Sequence, residues 1–194
     1  MKKRIMMMAI VVICLAATTT GTLAYFTAEG TARNVIATGN ISIEIIEKTK
    51  DNSGTLVDFP KEGISGLMPG ASASKIVQVQ NTGDAEAWIR VKIESAIKGK
   101  DGAELPLTIG KDKEPVMNYH ILEGWKDGGD GYYYYEKPVA AGAFTGILLE
   151  EVYFSPKVDN TYQSCTANII ISAQAVQTAN NGTNVLEARG WAQD

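Results

Sequence analysis

Residues 87–95, AWIRVKIES, alternate without a break: Ile89, Val91 and Ile93 fall on one side, and Arg90, Lys92 and Glu94 on the other. A period of two is the side-chain period of a strand, so this stretch is a strand with one core face and one polar face. Residues 74–80, SKIVQVQ, alternate too, with Ile76 set against Val77 and Val79. Between the two runs, Asn81-Thr82-Gly83-Asp84 carries turn chemistry, and together they are expected to form a hairpin.

Further strands follow the same logic. Residues 40–47 place Ile41, Ile43 and Ile45 on one face. Residues 116–122 hold His120, and residues 132–136 (YYYYE) have high β-propensity. Residues 144–154 (FTGILLEEVYF) read as a strand with a bulge that turns Glu150 and Glu151 outward. Residues 166–176 (TANIIISAQAV) are apolar on both faces near Ile169–Ile171, which suits a central strand. Residues 48–54, 55–66 and 124–131 read as loops. After residues 180–182 one helical turn is expected over residues 184–189, with Asn184 as its cap. Evenly spaced strands without helix alternation predict an all-β, antiparallel two-sheet sandwich.

The first 24 residues do not belong to that pattern. Lys2, Lys3 and Arg4 precede thirteen uncharged, mostly apolar residues, 5–17. That run is short for a membrane span, which needs ~20 residues, and right for a signal peptide. Small residues at Thr22 and Ala24 predict cleavage between Ala24 and Tyr25. Lipoprotein and pilin signals fit less well, because Ile13 precedes Cys14 and the glycine a pilin peptidase needs is absent. Export makes the protein secreted, at the cell surface or in an extracellular matrix, with membrane contact only through the signal peptide. The expected organisation is 1–24 signal peptide, 25–39 N-terminal arm, 40–178 sandwich and 179–194 C-terminal tail.

Removing Lys2, Lys3 and Arg4 from the −4 of the full chain leaves −7. Such a balance argues against nucleic acid as a partner, since phosphates need Lys and Arg. Once Cys14 leaves with the signal, Cys165 alone remains, so neither an internal disulfide nor a thiolate metal site can form.

Catalytic chemistry finds little material. With one histidine, His120, neither a paired-histidine zinc site nor a convincing nucleophile system can be built. The Asp127-Gly128-Gly129-Asp130-Gly131 run offers two acids for calcium but lacks the closing glutamate, and reads as a turn. A strand at Tyr132–Tyr135 sends two tyrosines inward and leaves two outside, where they could stack on sugars. No enzyme activity, metal or cofactor is expected.

Several of these segments, in their order, resemble the TasA/camelysin family. They are Leu23-Ala24-Tyr25-Phe26-Thr27, Ala37-Thr38-Gly39-Asn40-Ile41-Ser42-Ile43, Leu67-Met68-Pro69-Gly70, residues 75–83 (KIVQVQNTG) and Ala173-Gln174-Ala175-Val176-Gln177. That family is exported by a dedicated SipW-type signal peptidase and makes biofilm-matrix fibres of spore-forming Gram-positive bacteria. The stretch from Trp125 to Tyr135 resembles a clostridial-type branch of SipW-dependent exported proteins. The resemblance implies a jelly-roll-like sandwich that assembles by donor-strand complementation, with Tyr25, Phe26, Thr27, Val35 and Ile36 in the donor arm. The implied partners are further copies of the chain, in a homopolymer, together with a nucleating or anchoring matrix protein. The metalloprotease activity described for camelysin finds no zinc-ligand constellation in this sequence. The alternative to a fibre subunit is a monomeric secreted or surface module that binds a glycan or protein.

Burying Tyr25, Phe26, Val35 and Ile36 would contribute roughly 1.5–3 kcal/mol each. Ordering a dozen arm residues costs about 1–2 kcal/mol per residue of backbone. Side-chain burial at most equals that cost, so the arm is expected to be a conditional connector that needs a preformed groove.

Overall fold

The computed structural model describes residues 27–34, 41–60 and 68–192. In chain order its strands are β1 (Thr27–Asn34), β2 (Ile43–Lys50), β3 (Leu56–Asp58), β4 (Ser72–Asn81), β5 (Ala87–Lys98) and β6 (Thr108–Ile109). There follow β7 (Glu114–Pro115), β8 (Met117–Tyr119), β9 (Trp125–Asp127), β10 (Tyr132–Tyr135), β11 (Leu149–Phe154) and β12 (Thr166–Gln177). One five-stranded sheet has the order β1-β12-β5-β10-β9, the other β3-β2-β4-β11-β8, and β6 with β7 forms a small separate ladder.

The two sheets make an all-β sandwich around one core. Ile89 and Val91 of β5 and Ala167, Ile169, Ile171 and Ala173 of β12 face Ile43 and Ile45 of β2, Val77 and Val79 of β4, and Val152 and Phe154 of β11. Each set recurs every second residue, so the period-two pattern is what turns these faces inward. The expectation of a central strand at 166–176 holds: β12 pairs with β5 over its whole length and with β1 on its other edge. The bulge also holds, since the β11–β4 register shifts between Leu149 and Glu151, and both Glu150 and Glu151 are exposed.

The expected hairpin of residues 74–80 and 87–95 does not form. β4 and β5 lie in different sheets, and residues 82–86 make a corner between them. Asn81, fully buried, organises that corner: its side-chain amide donates to the carbonyls of Ala85 (2.7 Å) and Val139 (2.9 Å), and its carbonyl accepts from the Gly83 amide (3.0 Å). Turn residues signal a change of direction, and they do not say whether the next strand pairs in the same sheet. Three loop expectations are also corrected. Residues 48–50 of the expected 48–54 loop continue β2, residues 55–66 contain the edge strand β3 that pairs with them, and residues 124–131 contain β9, which forms an antiparallel hairpin with β10. The strand expected at 116–122 is shorter, and His120 lies exposed just beyond β8.

The sandwich has two ends. Ile41, Asn81, Ala87 and Gln177 lie at the end called upper here, because Ile43 pairs with Asn81, Ala87 pairs with Gln177, and a short corner joins the two pairs. Thr166 pairs with Lys98 at the lower end.

Candidate functional site

The arm expected at residues 25–39 is described between Thr27 and Asn34, where it forms β1. Ala24, Tyr25, Phe26, Val35 and Ile36 lie outside the described residues, so the expected cleavage point and the apolar arm residues are not placed. β1 runs parallel to β12 in continuous register, from Thr27 opposite Thr166 to Asn34 opposite Ala173. Every other ladder in the two sheets is antiparallel. β1 is the edge strand of its sheet and packs across the sandwich against β2.

The sequence of β1, TAEGTARN, contains no large apolar residue and has a glycine at its centre. Its attachment therefore comes chiefly from main-chain hydrogen bonds, in the slightly weaker parallel arrangement. Beside it, β12 and β2 supply a strongly apolar floor of Ile169, Ile171, Ile43 and Ile45. A polar edge strand thus borders the sheet beside an apolar interior.

One charged pair interrupts the interior on the side of β2. Glu47 and Lys75 share the inward phase of Ile45, Val77 and Val79. Lys75 Nζ lies 2.7 Å from Glu47 Oε1, with the two side chains only 3% and 9% exposed. The two groups form a buried ion pair in direct contact. The ammonium also sits 3.9 Å from the centre of the Phe59 ring, a cation–π contact. Burial lowers the Lys75 pKa, and the neighbouring Glu47 carboxylate opposes that shift. Lys75 is in phase with Val77 and Val79 in the sequence, and that is the signal that could have found it.

The outer face of the other sheet carries a second cluster that sequence reasoning missed. Trp88, Tyr132, Tyr134 and Val176 are buried there beneath Val185, Ala188 and Trp191 of the C-terminal tail. Arg90 stacks 3.8 Å from the Tyr132 ring centre and 4.8 Å from that of Trp191. Its Nε and Nη2 donate to Gln174 Oε1 at 3.1 and 2.8 Å, and its Nη1 donates to the Tyr134 hydroxyl at 3.0 Å. The Tyr134 hydroxyl in turn donates to Asp130 Oδ2 at 2.6 Å.

These contacts correct the expected stacking platform. Tyr132 and Tyr134 do point away from the main core, but the tail covers them, and Tyr133 and Tyr135 pack against the main core. The tail is held by a turn whose start Asn184 caps, its Oδ1 accepting from the amides of Leu186 and Glu187.

The Asp127–Gly131 loop has already committed its acids. Asp127 Oδ1 accepts from the Gly129 amide, and Asp130 accepts from the Tyr132 amide and the Tyr134 hydroxyl. A Cβ at Gly128 would lie 2.3 Å from the Tyr134 ring, so the loop needs glycine there for close approach. Among the described residues no three His, Cys, Asp or Glu side chains gather to hold a metal ion.

His120 opens onto a groove of about 460 Å³ along the β8 edge, lined also by Tyr119, Glu150, Glu151 and Tyr153. That lining contains no serine, threonine or cysteine. Cys165 is fully buried, and burial pushes its thiol up to about 11, so it is an inert core residue. Comparison with protein-family models and with curated proteins finds no match.

Proposed function

We propose that the chain is an exported structural subunit that builds extracellular fibres by passing its N-terminal arm to the sheet edge of a neighbouring copy. The observation that carries this reading is β1. It is a polar, glycine-containing strand, parallel at the edge of an otherwise antiparallel sheet, over an apolar interior. An edge strand held by main-chain bonds can be exchanged for the same strand of another copy at little net cost, because each bond lost is remade.

The resemblance to TasA/camelysin proteins points the same way, and a jelly-roll-type winding belongs to the proposal. The repeated passage of the chain from one sheet to the other supports that winding. Secretion to the matrix, a homopolymer and a nucleating or anchoring partner complete the reading, and no enzymatic step is part of it. The glycan-binding alternative has less support, since its expected tyrosine platform lies under the tail.

The test is electron microscopy of the mature protein with and without residues 25–38. Fibres are expected from the intact protein and none from the shortened one. Fibres of normal appearance from the shortened protein would end the donor-arm reading.

A further inference from the structure

Two adjoining hollows lie where β8 ends its sheet. One, of about 460 Å³, is the groove beside His120. The other, of about 300 Å³, reaches from β8 to Ser95 of β5 and is lined also by Leu107 and Met117. Asn118 and Tyr119 line both, so the two form one trough across the β8 edge. Each is large enough for part of a small ligand, and end to end they suit an extended chain.

The fixed charge of the trough is of one sign. Strict alternation along β11 would send Glu150 and Glu151 to opposite faces. The bulge between Leu149 and Glu151 leaves both exposed, and both line the groove. Neither carboxylate has an ion-pair partner among the described residues, and no Lys or Arg lines either hollow. Glu151 Oε1 accepts a hydrogen bond from Ser72 Oγ at 2.5 Å, which positions that carboxylate without neutralising it. A cleft lined by one sign of charge concentrates ligands of the opposite sign.

The other lining groups suit a ligand rich in hydroxyls. Tyr119 and Tyr153 supply aromatic surface with a polar tip, and Tyr153 is 39% exposed. Asn118 Nδ2 donates to the Pro115 carbonyl at 3.1 Å, which fixes the amide and leaves its Oδ1 to accept from a ligand. Ser95 and Thr108 add hydroxyls in the second hollow. A peptide strand added to this edge gains less, because β8 is three residues long and offers only a short main-chain ladder.

We propose that this trough binds a cationic amino-sugar chain, a run of glucosamine units whose ammonium groups meet Glu150 and Glu151 while their rings rest on Tyr119 and Tyr153. The site lies in the opposite sheet from the tyrosines that the tail covers. It belongs to the single subunit and does not depend on the N-terminal arm, so it stands or falls apart from fibre assembly.

Calorimetric titration of the unassembled mature protein tests this, with glucosamine hexamer, N-acetylglucosamine hexamer and hexalysine as probes. In mildly acidic buffer, where its amines are protonated, the glucosamine chain should bind. Acetylation keeps the ring and removes the charge, and Glu150→Gln/Glu151→Gln removes the matching carboxylates. Each change should weaken binding about tenfold, the combined worth of two exposed ion pairs. Added salt should weaken binding to the unaltered protein and have little effect on the glutamine variant. Tyr153→Ala should weaken it several-fold. Glu150, Glu151 and Tyr153 are exposed, so thermal unfolding should be little changed and certify the fold of each variant. Absence of glucosamine binding would overturn the site. Equal binding of the acetylated chain, or undiminished binding by the glutamine variant, would overturn its basis in charge. Hexalysine bound as tightly as glucosamine hexamer would assign the trough to a basic peptide and overturn the sugar.

Discussion

Lys75 carries its charge into a sandwich interior whose other inward positions on β4 are Ala73, Val77, Val79 and, at the corner, Asn81. Taking two charges out of water costs several kcal/mol per ion, and their attraction returns that only while both are present. Lys75→Met leaves the Glu47 carboxylate buried without its partner and should destabilise the fold by about 3–5 kcal/mol. The double variant Lys75→Met/Glu47→Leu removes both charges and should recover most of that loss. Urea unfolding of the three proteins checks this, and a double variant as unstable as the single one would show that the pair is not the cause. The alternation of SKIVQVQ already put Lys75 on the valine face. What the sequence did not contain was the carboxylate to meet it, since Glu47 is on another strand and becomes its neighbour only through the β2–β4 register.

The tail and β10 illustrate how an element acquires its environment from elsewhere in the chain. YYYYE was legible as a strand with tyrosines on alternate faces, and the faces are as expected. The cover was not legible, because Val185, Ala188 and Trp191 are spaced apart in a segment with little regular pattern. Their meeting with Trp88 and Tyr132 depends on where the chain leaves β12. Trp191 packs edge-on to Tyr134 at 5.9 Å between ring centres, and its indole nitrogen donates to the Ala188 carbonyl at 3.0 Å. Trp191→Ala should cost about 1–3 kcal/mol. Amide exchange should quicken in β10 while the centre of β12 stays protected. Equal loss of protection in both strands would mean that the tail is part of the global core and not a local cover. β1 and β9 were the reverse case: short, polar or glycine-flanked strands carry too little hydrophobic period to be read, and they become visible only through their pairing with β12 and β10.

Across the fold as a whole, the alkaline side of the stability profile follows from burial. The Cys165 thiol stands at about 11 in the folded protein against 9.0 ordinarily, because burial disfavours the thiolate. Between those values the unfolded chain gives up a proton that the folded chain keeps, so stability is full below pH 9 and falls as pH rises toward 11. The loss from this group alone amounts to about 3 kcal/mol. Tyr119, Tyr133, Tyr134 and Tyr162, whose hydroxyls burial also raises, act with the same sign, while Lys75, whose pKa burial lowers, acts with the opposite sign and offsets part of the fall. Urea midpoints measured from pH 8 to 11 should fall, and Cys165→Ala should make the fall shallower. A profile that stays level for the unaltered protein would contradict this account.

Side-chain period is a local property, and it was enough to establish an all-β sandwich, the place of β5 and β12 in its core and the bulge in β11. Pairing is not local. That β4 turns a corner away from β5, that the tail closes over the tyrosines, and that Thr27–Asn34 lies parallel to β12 all depend on which edges and faces the rest of the chain leaves open. Thr27–Asn34 carries no apolar period of its own, so its place and direction are fixed only by the strand it lies against.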